Sequence, residues 1–122
     1  MTGNLPVLLI IDDDSDFCQL LISLMDNTLL QVEAVHTLGQ AQLIIDQERP
    51  HVILLDQHLP DGLGIDFIPK IRSAGGKINI IMITADLNSL VAVDARERGV
   101  RHFISKPCSF KTITDLVYST LP

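Results

Sequence analysis

The chain has 122 residues, of which 47% are apolar, 20% charged and 4% aromatic, and its 9 Lys and Arg against 15 Asp and Glu leave a net charge of -6. That describes one compact domain with a core of its own and excludes intrinsic disorder. The acidic balance argues against a direct grip on nucleic acid, which relies on clustered Lys and Arg, and the longest aliphatic run, Val7 to Ile11, is far short of the ~20 residues of a membrane span. With no basic segment leading into an apolar signal stretch, a soluble cytoplasmic protein is expected.

In chain order, residues 5–12 read as a first strand, followed by a helix with Phe17, Leu20, Leu21, Leu24 and Met25 as its apolar stripe. Residues 31–36 read as a second strand. The next helix opens on the capping-box pattern Thr37-Leu38-Gly39-Gln40, carries Leu38, Ala41, Ile44 and Ile45 inward, and stops near Arg49-Pro50, because proline disfavours helical geometry in the residue before it. A third strand, residues 51–55, leads to a helical stripe of Ile65, Ile68 and Ile71, where Pro69 predicts a kink or a late start. Residues 77–84 form the fourth strand. A helix over about residues 89–98 then ends at Gly99 as a left-handed cap. The fifth strand is residues 101–105, and the last helix begins behind Ser109 with Phe110, Ile113, Leu116, Val117 and Leu121 inward.

Strands one, three and four are nearly continuous in Val, Ile and Leu, the mark of strands covered on both faces. Five such β-α units predict an α/β fold: a doubly wound, five-stranded parallel sheet of order 2-1-3-4-5 with five helices on its two faces. In such sheets ligands sit beyond the carboxyl ends of the strands, where the winding direction reverses. Those ends read Asp12-Asp13-Asp14-Ser15-Asp16, Asp56, Thr84-Ala85 and Ser105-Lys106-Pro107.

Taken singly, these are ordinary turn formers. Their coincidence on one edge is the signal. Two carboxylates ~4 Å apart repel by about 4 kcal/mol at an effective dielectric near 20, so Asp12, Asp13 and Asp56 on neighbouring strands need compensation. A hard divalent cation supplies it, since Mg²⁺ takes one or two carboxylates while keeping waters and phosphate oxygens. Lys106 adds a positive charge opposite, and a raised carboxyl pKa is the alternative response.

These residues resemble the receiver domain of two-component response regulators, a flavodoxin-like family. The resemblance covers nearly the whole chain, 1–122, and rests on Asp12-Asp13, on Asp56 followed by Leu59-Pro60-Asp61-Gly62-Leu63-Gly64, on Thr84-Ala85, and on Lys106-Pro107. It implies that Asp56 is the phosphoacceptor, Asp13 a direct ligand of Mg²⁺ (or Mn²⁺), Asp12 a mainly water-mediated one, and the His58 backbone carbonyl the protein's remaining contribution. Thr84 and Lys106 would hold the phosphoryl oxygens, and the Lys106-Pro107 bond would be cis. His58 and Asp86 occupy positions that often tune phosphoryl lifetime in this family, and Phe103 stands where the switch aromatic, more often tyrosine, is found; a solvated loop side chain at His58, a start for the fourth helix at Asp86 and a plain core residue at Phe103 are the alternative readings. Implied partners are a sensor histidine kinase or histidine phosphotransfer protein, and an output domain or effector reached through the fourth helix, fifth strand and fifth helix, with no membrane and no nucleic acid bound by this domain. That region carries Arg96, Arg98, Arg101 and Lys111, which also fit a solvated face.

Cys108 departs from the phenylalanine that many relatives place after Lys-Pro. Cys18 and Cys108, ninety residues apart, are expected to be reduced thiols without chemistry. An aspartyl-phosphate hydrolase would need a second carboxylate two residues beyond the nucleophile, where this chain has His58. A nucleotide-binding protein of the same architecture would need a glycine-rich loop after strand one, where four aspartates stand instead. A signalling phosphoacceptor, not an enzyme, is therefore the expected function. The ending at Leu121-Pro122 suits a domain boundary, with an output domain expected beyond it.

Overall fold

A computed structural model describes residues 5–74, 77–85 and 88–121. The main sheet contains β1 (Val7–Ile11), β2 (Gln31–Val35), β3 (Val52–Leu55), β6 (Asn79–Thr84) and β7 (His102–Ser105). All pairings are parallel in the order β2-β1-β3-β6-β7, which is the expected 2-1-3-4-5. Each strand is slightly shorter than its predicted span.

Alternate strand residues enter opposite layers, because successive side chains of a strand point to opposite faces. Leu9, Ile11, Ile53, Leu55, Ile80 and Met82 pack with α2 (Leu38–Glu48), α3 (Gly64–Ser73) and α4 (Ser89–Glu97). Leu8, Ile10, Val52, Leu54, Ile81 and Ile83 pack with α1 (Ser15–Leu24) and α5 (Phe110–Ser119). Fully burying each Leu or Ile contributes roughly 1.5–3 kcal/mol, so the central strands hold the two layers on one frame.

The α1 stripe differs from expectation. Leu20 and Leu24 are each 54% exposed, while Cys18 and Leu21 are buried and Phe17 is half-buried. The apolar arc of this helix is wider than the strip that one packing contact covers, and contact with the sheet and α5 selects its middle, Cys18 and Leu21, leaving Leu20 and Leu24 at the edge. Between β3 and α3 the chain also forms a small antiparallel pair, β4 (His58–Leu59) with β5 (Gly62–Leu63), which no alternation announces.

Pro69 neither delays nor ends α3, which runs through it. Proline lacks the N–H that would bond the Ile65 carbonyl four residues earlier. Arg98, just beyond α4, supplies the missing donor: its Nη1 donates to Ile65 O at 3.0 Å while its Nε donates to Asp94 Oδ1 at 3.0 Å.

Helix starts follow their caps, with Asp14, Thr37, Asn88 and Ser109 accepting first-turn N–H groups. The box at α2 closes one residue early: Thr37 accepts from Gln40 N, but the Gln40 side chain accepts from His36 N. α2 ends at Arg49 with φ 48°, a left-handed residue directly before Pro50. Side-chain crowding makes that conformation unfavourable for a long side chain such as arginine's and costless for glycine. Arg49→Gly is therefore expected to stabilise the fold by about 0.5–1 kcal/mol, read as a higher denaturant midpoint at unchanged slope. A lower midpoint would show that the arginine contributes more than its backbone strain removes.

Candidate functional site

The carboxyl ends of β1, β3, β6 and β7 converge as expected. Asp12 follows β1 and is 1% exposed, and Asp56 follows β3 and is 8% exposed. Both backbones are held by ladder extensions, Asp12 N to Val35 O at 3.1 Å and Asp56 N to Ile11 O at 3.0 Å. With the exposed Asp13 they form the group of acidic side chains among the described residues whose ligand oxygens all lie within 4.8 Å of one another. Three hard oxygen donors so close fit a divalent cation.

Lys106 lies against this cluster. Its Nζ donates to Asp12 Oδ2 at 2.6 Å and stands 3.8 Å from Asp56 Oδ2. A cation–π contact places the same ammonium 4.5 Å from the centre of the Phe17 ring, which stacks on Phe110 at 5.7 Å. The Lys106–Pro107 peptide is cis. Burial alone would pull the Lys106 pKa down, but the hydrogen bond and charge of Asp12 outweigh it and leave it above its ordinary value.

Burial, followed by the charge of Asp12, lifts the Asp56 carboxyl above the usual range, opposed by Lys106, by the Gln57 N–H at 2.7 Å and by the Thr84 hydroxyl. Thr84, ending β6, is 1% exposed. Asp12, Asp13, Asp56, Thr84 and Lys106 are thus brought together.

The other expected residues are not all at the cluster. His58 begins β4 with an exposed side chain, two residues beyond Asp56. Phe103 is half-buried on β7, packs into the α2–α4 layer, and lies under the Arg96 guanidinium at 5.1 Å. It pairs in register with Met82, and Thr84 lies two residues further along β6, so Phe103 and Thr84 share a face of the sheet. Asp86 lies outside the described residues. Cys18 and Cys108 are free thiols; burial, followed by Asp12, lifts Cys18 to about 12, and burial also raises Cys108, so both stay protonated at neutral pH.

Two supporting residues, Gln57 and His36, escape sequence reasoning, and Gly64, part of the motif after Asp56, owes its place to a close backbone approach. Gln57 is buried, and its side chain accepts from Ile65 N at 3.0 Å, capping α3 where Leu63 has no side chain to do so. Gly64 donates its N–H to Gln57 O at 2.8 Å, and a Cβ there would collide with the Asp56 carbonyl oxygen and lie 3.1 Å from the carbonyl carbon. His36 Nδ1 lies 2.8 Å from Asp12 O.

Asp61 caps the start of a distant helix: it accepts from Leu38 N at 2.8 Å and Gly39 N at 3.0 Å, tying the loop after Asp56 to α2. Those two bonds hold its carboxyl below the ordinary range. A depressed carboxyl contributes stability above its unfolded pKa and loses it as pH falls through the folded one. Asp61→Asn is accordingly expected to melt below wild type at neutral pH, with the gap closing in acid. A gap independent of pH would assign the effect to shape alone.

The response regulator receiver domain family matches residues 8–118. The chain belongs to this family. A receiver is the phosphoacceptor module of two-component signal transduction, and the receiver is 29% identical over 117 residues to the photosynthetic apparatus regulatory protein RegA of Rhodovulum sulfidophilum, covering 96% of this chain and 64% of that one. It is 27% identical to the transcriptional regulatory protein DpiA of Escherichia coli, covering 93% and 50%. It therefore spans about half to two thirds of the length of these curated relatives. Its fold superposes on a CheY-like receiver domain from Methanospirillum hungatei with a TM-score of 0.88 at 23% identity, covering 95% and 93% of the two chains. A Burkholderia pseudomallei response regulator with a phosphorylated aspartic acid and a calcium ion superposes at 0.83 and 21%, covering 96% and 66%. No helix among the described residues is long and apolar enough to cross a membrane.

Proposed function

We propose that the whole chain, residues 1–122, is a single receiver that takes a phosphoryl group onto Asp56 from a histidine kinase or a histidine phosphotransfer protein. The observation that carries this reading is the three-carboxylate cluster at the strand ends with Lys106 bridging Asp12 and Asp56. Asp13 and Asp56 would hold Mg²⁺ or Mn²⁺ directly, Asp12 largely through water, and the His58 carbonyl would complete the protein's share. When bound, the cation neutralises charge on the transferring group and on the carboxylates around it.

The chain's own residues account for the rest. An Asp56 carboxylate oxygen attacks phosphorus, the new O–P bond forms as the P–N bond to the donor imidazole breaks, and the electron pair leaves on that nitrogen. Lys106 and Thr84 donate to the phosphoryl oxygens, so Lys106 shifts its bond from Asp12 toward the new group. Thr84 moves with it, and Phe103 on the same sheet face follows, changing the surface of α4, β7 and α5 that an output domain or effector reads. His58 and Asp86 flank the path of attacking water and set how long the phosphoryl group lasts. The receiver thus assists its own phosphorylation and dephosphorylation without acting on a separate substrate. It works in the cytoplasm and leaves DNA contact to other modules.

Incubation with Mg²⁺ and a small phosphodonor, followed by intact-mass measurement, tests the reading. One phosphoryl group per chain, retained for a measurable time, is expected. Rapid release of many equivalents of phosphate with no retained adduct would favour a hydrolase.

A further inference from the structure

A second concave site lies at the opposite end of the sheet from the aspartate cluster. A groove of about 520 Å³ opens where β6 and β7 begin, lined by Arg72, Lys77 and Arg101 together with Asn79 and His102. That volume falls within the roughly 300–1,000 Å³ of small-molecule sites. In a chain of net charge -6, the described residues of the lining include three cations and no carboxylate.

Among the described residues no ion pair includes Arg72, Lys77 or Arg101. Arg72 is also preorganised: Nη1 donates to Ile78 O at 2.7 Å and Nη2 to Gly99 O at 3.0 Å. These carbonyls fix the guanidinium without cancelling its charge and leave three of its five N–H donors. The flat group lies against Gly99, which has φ 95° and where a Cβ would come within 3.2 Å of Nη2 and 3.3 Å of Nε. Gly99 is thus required twice, for the left-handed turn after α4 and for seating the arginine.

Three positive charges lining one concavity exceed what a single carboxylate can match. A diphosphate concentrates several negative charges on two adjoining tetrahedra, and a fixed guanidinium suits its paired oxygens. We propose that this groove binds a compact diphosphate-bearing anion, whether inorganic pyrophosphate or the diphosphate of a nucleotide, independently of phosphorylation at Asp56.

The test is a titration of the isotope-labelled protein with sodium pyrophosphate and, separately, with ADP, followed by amide chemical shifts. EDTA is kept present so that the aspartate cluster, without a cation, repels anions. Saturable shifts are expected at Ile78, Asn79 and Gly99 to His102, unchanged in Asp56→Asn. The exposed pair Lys77→Gln and Arg101→Gln should weaken binding about tenfold or more, the loss expected for one or more charge-assisted contacts. Equal affinity for the two ligands would identify the diphosphate as the recognised group, and tighter ADP would add the nucleoside to it. Shifts reproduced by sodium chloride at matched ionic strength, or saturable shifts indifferent to the double substitution, would overturn the proposal. Neither result bears on phosphoryl uptake by Asp56.

Discussion

Asp56→Asn is expected to take up no phosphoryl group from a small phosphodonor with Mg²⁺, falling more than about 100-fold below wild type, because the amide lacks the nucleophilic oxygen charge. The same change should raise the melting temperature in the absence of divalent cations. The reason lies in the crowding of the site: Asp56 and Asp12 are both buried, share the single ammonium of Lys106, and repel one another. Removing one charge leaves Asp12 its 2.6 Å bond to Lys106 and relieves the repulsion. Mg²⁺ should narrow the stability difference by offsetting the charge that Asn lacks. An adduct of equal yield in wild type and variant would move the phosphoacceptor elsewhere, and an unchanged melting temperature would show that Lys106 already neutralises the pair.

Gly64→Ala is expected to be the most damaging single-methyl change near the site. The added Cβ would run into the backbone carbonyl group of Asp56, which has no rotamer to escape by, so either α3 must lift or the end of β3 must shift. Overpacking of this kind costs about 1–3 kcal/mol. A shift of β3 would also carry the Asp56 carboxylate away from Lys106 and Asp13, so phosphoryl uptake should slow beyond what the lost stability explains. Gly39→Ala is the control, because its Cβ would meet only Asp61 Oδ2, at an ordinary 3.6 Å. Similar melting temperatures for the two variants would mean that the close approach at Gly64 relaxes freely.

The strand ends were legible because each carries a residue type that a buried apolar run does not otherwise tolerate. Asp12, Asp56 and Thr84 each terminate such a run, and the alternation of elements implies that those termini share one edge. Lys106 was legible as the cation that ends the fifth strand beside that acidic edge. Its bond partner was not: whether its ammonium meets Asp12 at 2.6 Å or Asp56 at 3.8 Å depends on strand twist and on the Phe17–Phe110 stack beneath it.

The amino-acid order by itself determined which segments build the five-stranded sheet, that this sheet is parallel and covered on both faces, and which carboxylates reach its carboxyl edge, because these follow from local periodicity and the handedness of β-α-β connections. Only the tertiary structure decided contacts between segments far apart in the chain. Arg98 replaces the donor that Pro69 lacks, Asp61 caps a helix more than twenty residues upstream, Gln57 caps α3 in place of Leu63, and Leu20 and Leu24 face solvent. Each depends on which partner lies within hydrogen-bonding or packing distance after the layers close, and periodicity carries no information about distance across the fold.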